Sequence, residues 1–161
     1  MATWSQFRTA APDLATTVEE RLAATGLALV ATLRRDGFPR VSPVEPLIVD
    51  GRLYLGMMWR STKALDLLRD NRCLVHSTIT NPDGTEGDCK VYGHAIAIDD
   101  AAEREAYCAA LERATGMRPE GEFHLFALDV TEVAYVRFGG GCQVTRHWRP
   151  GEQVREIDKA V

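Results

Sequence analysis

Two of the three Asp-Gly dipeptides, Asp36-Gly37 and Asp50-Gly51, constrain this chain more than any other feature of its sequence. An Asp-Gly pair supplies the positive φ that a tight hairpin turn needs. The runs around these pairs, "LALVATLR", "RVSPVEPLIV" and "LYLGMM", are short, apolar and alternate with a period of two. Three antiparallel strands joined by hairpins are therefore expected. Pro43 and Pro46 interrupt the second of them, and proline cannot donate to a ladder. That strand is expected to bulge or run along an edge there, which leaves backbone groups free for a ligand.

The rest of the chain alternates strands with three helices. Asp13 to Thr25 places Leu14, Val18 and Leu22 at fourfold spacing and predicts a helix ended by Gly26. A second helix is predicted over about Thr62 to Asp70, with Ala64, Leu67 and Leu68 as its buried stripe. "RCLVHSTIT" and "CKVYGHAIAI" read as strands on either side of the turn-rich loop "NPDGTEGD". Asp99 or Asp100 then caps a longer helix, Ala101 to Thr115, which Gly116 ends, and "EFHLFALDV", "EVAYVRF" and "CQVTRHW" read as the last strands. Many short strands with few helices predict a mainly β fold, a closed or split β-barrel with helices at its ends. The 161 residues fit one domain, 1–161.

Charge and cysteine usage narrow the function classes. A net charge of −4 argues against non-specific nucleic-acid binding, which needs a basic surface to release counterions. No apolar run approaches the ~20 residues of a membrane span. Cys73, Cys89, Cys108 and Cys142 stand far apart with no C-x-x-C pair, which predicts free thiols, and the N-terminus has no signal-type apolar core. A cytoplasmic protein is expected. His76, His94, His124 and His147 fall on four separate predicted strands, so no metal site is expected.

The stretch "MMWRSTKALDLLRDN" carries the chemical question, because its helix opens with Ser61, Thr62 and Lys63. A capping box would want Glu or Gln where Ala64 stands. Two hydroxyls, an ammonium and free amides at the positive end of a helix suit a phosphate dianion, and Arg60 could add a fork of donors. Ordinary capping is the other reading, with Lys63 paired to Asp66 on a solvated face. Strand alternation puts Arg40 and Ser42 on one face of the neighbouring strand, and Tyr54 and Trp59 offer surfaces that could flank a planar ring.

The order of these segments resembles the pyridoxamine-phosphate-oxidase-like flavin-binding split barrels. The resemblance runs from about Gly26 to Ile98, through "LVATLRRDGFPRVSPV", "DGRLYLGMMWRSTKALDLLRDNRCLVHSTI" and "VYGHAIAIDD". It implies a six-stranded antiparallel split β-barrel of Greek-key type and a homodimer with cofactor sites at the subunit interface. It also implies a hydride-transferring oxidoreductase that uses FMN, or alternatively a deazaflavin coenzyme, with a small organic substrate. By position, Arg40, Ser61 and Lys63 would hold the cofactor phosphate, with Thr62 in addition. The strand Val41, Ser42, Pro43 and Val44 would lie along the ring edge, and Trp148 would close the site from a partner subunit or a later strand. No protein side chain is expected to be catalytic, since the ring carries the chemistry.

Two departures stand out. True pyridoxamine phosphate oxidases carry a lysine where this chain has Glu45, and their terminal Arg-x-His is replaced by the adjacent Arg146 and His147. Oxidation of pyridoxamine phosphate itself is therefore not expected. A non-catalytic flavin- or haem-binding carrier or sensor is the alternative on the same fold. A deazaflavin's acidic tail asks for more cations than a −4 chain advertises, which favours FMN.

Overall fold

The computed structural model describes residues 1–161. In chain order the elements are α1 (Trp4–Ala10), α2 (Pro12–Ala23), β1 (Ala28–Leu33), β2 (Pro39–Val44), β3 (Pro46–Val49), β4 (Arg52–Met58) and α3 (Thr62–Arg69). They continue with β5 (Arg72–Ser77), β6 (Asp88–Ala97), α4 (Ala101–Thr115), β7 (Phe123–Gly139), β8 (Cys142–Trp148) and β9 (Arg155–Ala160). The strands pair in the order β2-β1-β5-β6-β7-β4-β3, all antiparallel, and β8 and β9 extend the sheet from β7.

Both ends of that order meet at one residue. β2 and β3 are consecutive in the chain, joined by Glu45, yet β2 pairs only with β1 and β3 only with β4. The sheet thus curls into a six-membered ring, β2/β3-β1-β5-β6-β7-β4, that is split where the strand changes partner. Pro43 and Pro46 flank the change and withhold their donors there. This is the six-stranded split barrel that the family resemblance implies, and it decides between the closed and split barrels that the strand pattern leaves open.

The Asp-Gly turns behave as their chemistry demands. Val49 pairs with Arg52 across a two-residue loop in which Asp50 has φ +47° and Gly51 φ +75°, the signs of a type I′ turn. The other turn, between Leu33 and Pro39, is longer, and only Gly37 takes a positive φ. Inside the ring, alternate strand residues such as Val30, Leu53, Leu55, Val75, Val91 and Val130 are fully buried. Leu14, Val18 and Leu22 of α2, Trp4 and Phe7 of α1, and Ala64 and Leu67 of α3 complete this core. A second, smaller cluster joins Tyr107 and Cys108 of α4 to Tyr54, Ile98, Leu125 and Ala127.

Several elements differ from the sequence expectation. Helix α1 precedes the predicted N-terminal helix and is opened by a capping box between Thr3 and Gln6. Helix α2 ends at Ala23, so Gly26 lies beyond its cap. The two strands predicted on either side of Thr131 are one strand, β7, with a register shift opposite Tyr92 and Gly93 that absorbs the mismatch. Strand β9 is polar, fully exposed and held by pairing to β8 alone, so it carries no burial signal in the sequence.

Gly93 at that shift is needed for space. A Cβ built there would stand 2.4 Å from the Asp129 carbonyl oxygen and 2.9 Å from the Leu128 side chain. Backbone cannot yield as a flexible side chain does. Gly93→Ala is expected to cost on the order of 1–3 kcal/mol, the scale of core overpacking, which a urea denaturation midpoint at unchanged m-value would record.

Candidate functional site

The candidate site lies along the seam between β2 and α3. Arg60 brings the chain out of β4 with a left-handed φ of +54°, and Ser61 follows as the N-cap of α3. Non-glycine residues pay strain for that conformation. Ser61 makes no capping hydrogen bond, and its Oγ is buried with no partner at all. A buried hydroxyl without a partner is costly, on the order of 1–3 kcal/mol. The first amides of α3 have no preceding carbonyls to bond and stand at the positive end of the helix. The orphaned hydroxyl and these amides form the kind of cradle that an anion fills.

Lys63 completes the opening turn of α3. Its Nζ donates to the Pro43 carbonyl of β2 at 2.5 Å, and no carboxylate pairs with it. Burial lowers its pKa below the ordinary lysine value, and the charge of Glu45 partly offsets this. An ammonium placed where burial disfavours its charge gains from an incoming anion. The pairing of Lys63 with Asp66, the bland reading of the sequence, does not occur.

Asp66 is engaged elsewhere. Its carboxylate accepts from Arg40 Nε at 2.7 Å, from Thr32 Oγ1 at 3.0 Å and from both terminal nitrogens of Arg69. Burial pushes this carboxyl up, but the three donors outweigh it and hold its pKa below the usual carboxylate range. Arg69 also donates to the Leu33 carbonyl, which ties α3 to the end of β1. Arg40 is thus clamped through Nε, and its two terminal nitrogens make no hydrogen bond within the chain.

Beyond Arg40 the seam opens into a cavity of about 370 Å³ at the β1–β2 turn, lined by Arg34, Arg35, Asp36, Arg40, Asp66 and Arg69 with no apolar residue. Arg34 pairs with Asp36 at 2.8 Å.

The residues singled out in the sequence fall into two groups. Arg40, Ser42, Pro43, Ser61, Thr62 and Lys63 lie along the seam, Arg60 and Val41 are exposed beside it, and Val44 turns inward. Tyr54 does not join them. It is buried against Tyr107 of α4 at 5.8 Å, and its hydroxyl donates to Glu103; burial and that bond push its pKa up to about 12. Trp148 is buried 4.8 Å from Phe7 in the main core. Trp59 stacks on His124 at 4.5 Å, on the α4 side.

Thr32, Asp66 and Arg69 were not among the predicted site residues, and Leu68, expected in the buried stripe of α3, is 53% exposed while Asp66 is buried. The available signal was an aspartate three residues from Lys63 on one side and from Arg69 on the other. Those intervals put all three on one helical face.

A curled, split antiparallel barrel with a polar seam at the opening of a short helix places the chain in the class of split β-barrels. The profile of the pyridoxamine 5'-phosphate oxidase family matches residues 14–137, and the chain belongs to that family. No curated protein matches the chain by sequence.

Among solved structures, a pyridoxamine 5'-phosphate oxidase-related, FMN-binding protein from Nostoc punctiforme is similar with a TM-score of 0.63 and 17% identity, over 94% of this chain and 95% of that one. PhzG from Burkholderia lata, in complex with tetrahydrophenazine-1-carboxylic acid, gives a TM-score of 0.60 and 12% identity over 98% and 93%. A heme-binding protein from Mycobacterium smegmatis gives 0.60 and 20% identity, covering 89% of this chain but only 57% of that one. These likenesses establish the fold.

Proposed function

We propose that the chain binds a phosphorylated flavin, FMN or its deazaflavin counterpart, and works as an oxidoreductase that moves a hydride between the ring and a small organic substrate. The observation that carries this reading is the orphaned Ser61 Oγ at the start of α3, beside Lys63, which has a carbonyl but no carboxylate for a partner. Both groups gain a partner when a phosphate enters.

The roles divide by chemistry. Ser61 would donate a hydrogen bond from its hydroxyl to the phosphate, the first amides of α3 would add neutral donors, and Lys63 would supply charge. Arg40, oriented by Asp66, offers its terminal nitrogens from the strand side. When bound, the flavin ring supplies the redox chemistry. The strand from Val41 to Val44 pairs with β1 on one side only, and its other edge gives the ring a wall of backbone. Glu45, at the split of the barrel, presents a carboxylate rather than an ammonium, which disfavours a phosphorylated substrate and agrees with a substrate other than pyridoxamine phosphate.

A homodimer is part of the same reading. Val41, Ala31, Leu74 and Tyr92 are register neighbours across β2, β1, β5 and β6 and form an apolar row on the outer face of the sheet. Val41 is 61% exposed and Phe38, at the end of that face, 68%. Adjoining exposed apolar residues of this kind mark an interaction surface. A reducing, cytoplasmic setting fits the four unpaired thiols, and no helix is long and apolar enough to cross a membrane.

The second reading, a carrier or sensor without turnover, uses the same site. An absorption spectrum taken after adding each cofactor, followed by reoxidation of the reduced complex, separates the two. The enzyme reading expects a bound ring whose reoxidation accelerates with an organic acceptor. A bound flavin ring indifferent to every acceptor, or binding of haem alone, supports the carrier, and a protein that binds neither flavin nor haem refutes both.

A further inference from the structure

A cavity of about 820 Å³, more than twice the volume of the arginine-lined one, shares no residue with the phosphate seat. Its walls are apolar. They comprise Leu22 at the end of α2, Leu27 just beyond it, Leu47 and Ile48 of β3, and Leu111 and Ala114 of α4. Walls of this kind around this volume suit a small organic molecule, whose apolar body gains by leaving water.

The polar side chains of the lining are satisfied by one another or by their neighbours, with one exception. Glu19 accepts from Arg8 with both carboxylate oxygens at 2.7 Å and from the Trp4 indole at 2.8 Å, so these two charges cancel. Thr25 is bonded to Thr78, and Thr115 donates to the Leu111 carbonyl. Glu45 is exposed and has neither a hydrogen bond nor an ion pair. The cavity therefore carries a single uncompensated negative charge.

That charge stands where two sites meet. Glu45 joins β2 to β3, so it ends the backbone wall offered to the flavin ring and begins the lining of the cavity. Burial lowers the pKa of Lys63 and raises that of Tyr107, and the Glu45 charge raises both, so it is felt at the phosphate seat and at α4 alike. A molecule seated in the cavity with a cationic end at Glu45 adjoins the ring wall.

We propose that this cavity takes an apolar organic amine, its body against α2, β3 and α4 and its ammonium on the Glu45 carboxylate, and that such amines are the substrate class of the oxidoreductase. As a binding site the proposal stands by itself; the substrate role rests on the flavin reading. Glu45 is then a specificity-determining residue, since a carboxylate favours a cation, is indifferent to a neutral group and repels an anion.

The test is a calorimetric titration of the intact protein with phenylbutylamine and with phenylbutanol at neutral pH, repeated on the FMN-loaded protein. The amine is expected to bind about tenfold more tightly than the alcohol, the scale of one charged hydrogen bond. Glu45→Gln is expected to erase that preference and leave the affinity for the alcohol unchanged, which also shows that the variant is folded. In the FMN-loaded protein the bound amine is expected to shift the visible absorption of the ring. Equal affinity for amine and alcohol, a preference that survives Glu45→Gln, or binding of neither molecule overturns the amine site. An amine that binds without disturbing bound FMN overturns the substrate role alone. A protein that binds the amine but no flavin overturns the flavin reading, and with it the substrate role, and leaves the amine site standing.

Discussion

Lys63→Glu is expected to weaken FMN binding by about 100-fold or more and to leave riboflavin binding unchanged. The ammonium of Lys63 is the only cation on the first turn of α3, and its present partner is a neutral carbonyl. Losing one member of a desolvated charge pair costs about 2–5 kcal/mol, and each 1.4 kcal/mol is about tenfold in affinity. Charge reversal adds repulsion to that loss. Lys63→Ala is the milder test, expected at about thirtyfold. Riboflavin has no phosphate, so it controls for damage to the ring site. Equal losses for FMN and riboflavin would place Lys63 at the ring and contradict its assignment to the phosphate. Because α3 is anchored through Ala64, Leu67 and Asp66, the thermal midpoint should move little.

Asp66→Asn is expected to have the largest effect on stability. The change leaves Arg40 and Arg69 without their counter-charge and strands the buried Thr32 hydroxyl. Breaking a buried ion pair from one side costs about 3–5 kcal/mol. Both arginines are about a third exposed, and water recovers part of that, so about 2–3 kcal/mol is expected here.

Acid should reproduce the effect in the unaltered protein. The folded pKa of Asp66 lies below its ordinary value, so the carboxylate contributes stability that is fully present above the unfolded pKa, ~3.9. That contribution is lost as pH falls through the depressed folded value. Urea midpoints measured at pH 7 and again near pH 3 should therefore show a large gap between the two proteins at neutral pH and a narrowed one in acid. A gap independent of pH would mean that packing, not charge, holds α3 against β1 and β2.

How far the sequence discloses this molecule follows from where its signals are local. The Asp-Gly turns, the alternating runs and the caps at Asp100 and Gly116 are chemistry between near neighbours. The structure realises each of them. Helix α1 also had a local mark, the Thr3-x-x-Gln6 capping box, but only seven residues and two buried side chains to support it. Strand β9 had none, since its six exposed residues owe their conformation to β8.

The site shows the same division. Ser61 and Lys63 are legible because a helix start is a local object. The clamp that joins Thr32, Arg40, Asp66 and Arg69 is not, because β1, β2 and α3 meet only after the ring has closed. Tyr54 and Trp148 show the converse error. An aromatic residue on a strand reads equally well as a ring-stacking surface and as core, and here the packing of α4 and α1 makes both core. Net charge is silent on local charge for a related reason, since acidic residues elsewhere on the chain mask a cavity lined by four arginines and two aspartates at one turn.

The central claim is that the opening turn of α3 reads a phosphate. It is tested most directly by titrating the unaltered protein with FMN and with riboflavin under identical salt and pH and taking the ratio of the two affinities. The two ligands share a ring and differ by the phosphate alone. A ratio of about 100 or more in favour of FMN is expected from a dianion that gains Lys63, the Ser61 hydroxyl and the helix amides together. A ratio near one would contradict the account and return Ser61 and Lys63 to ordinary capping.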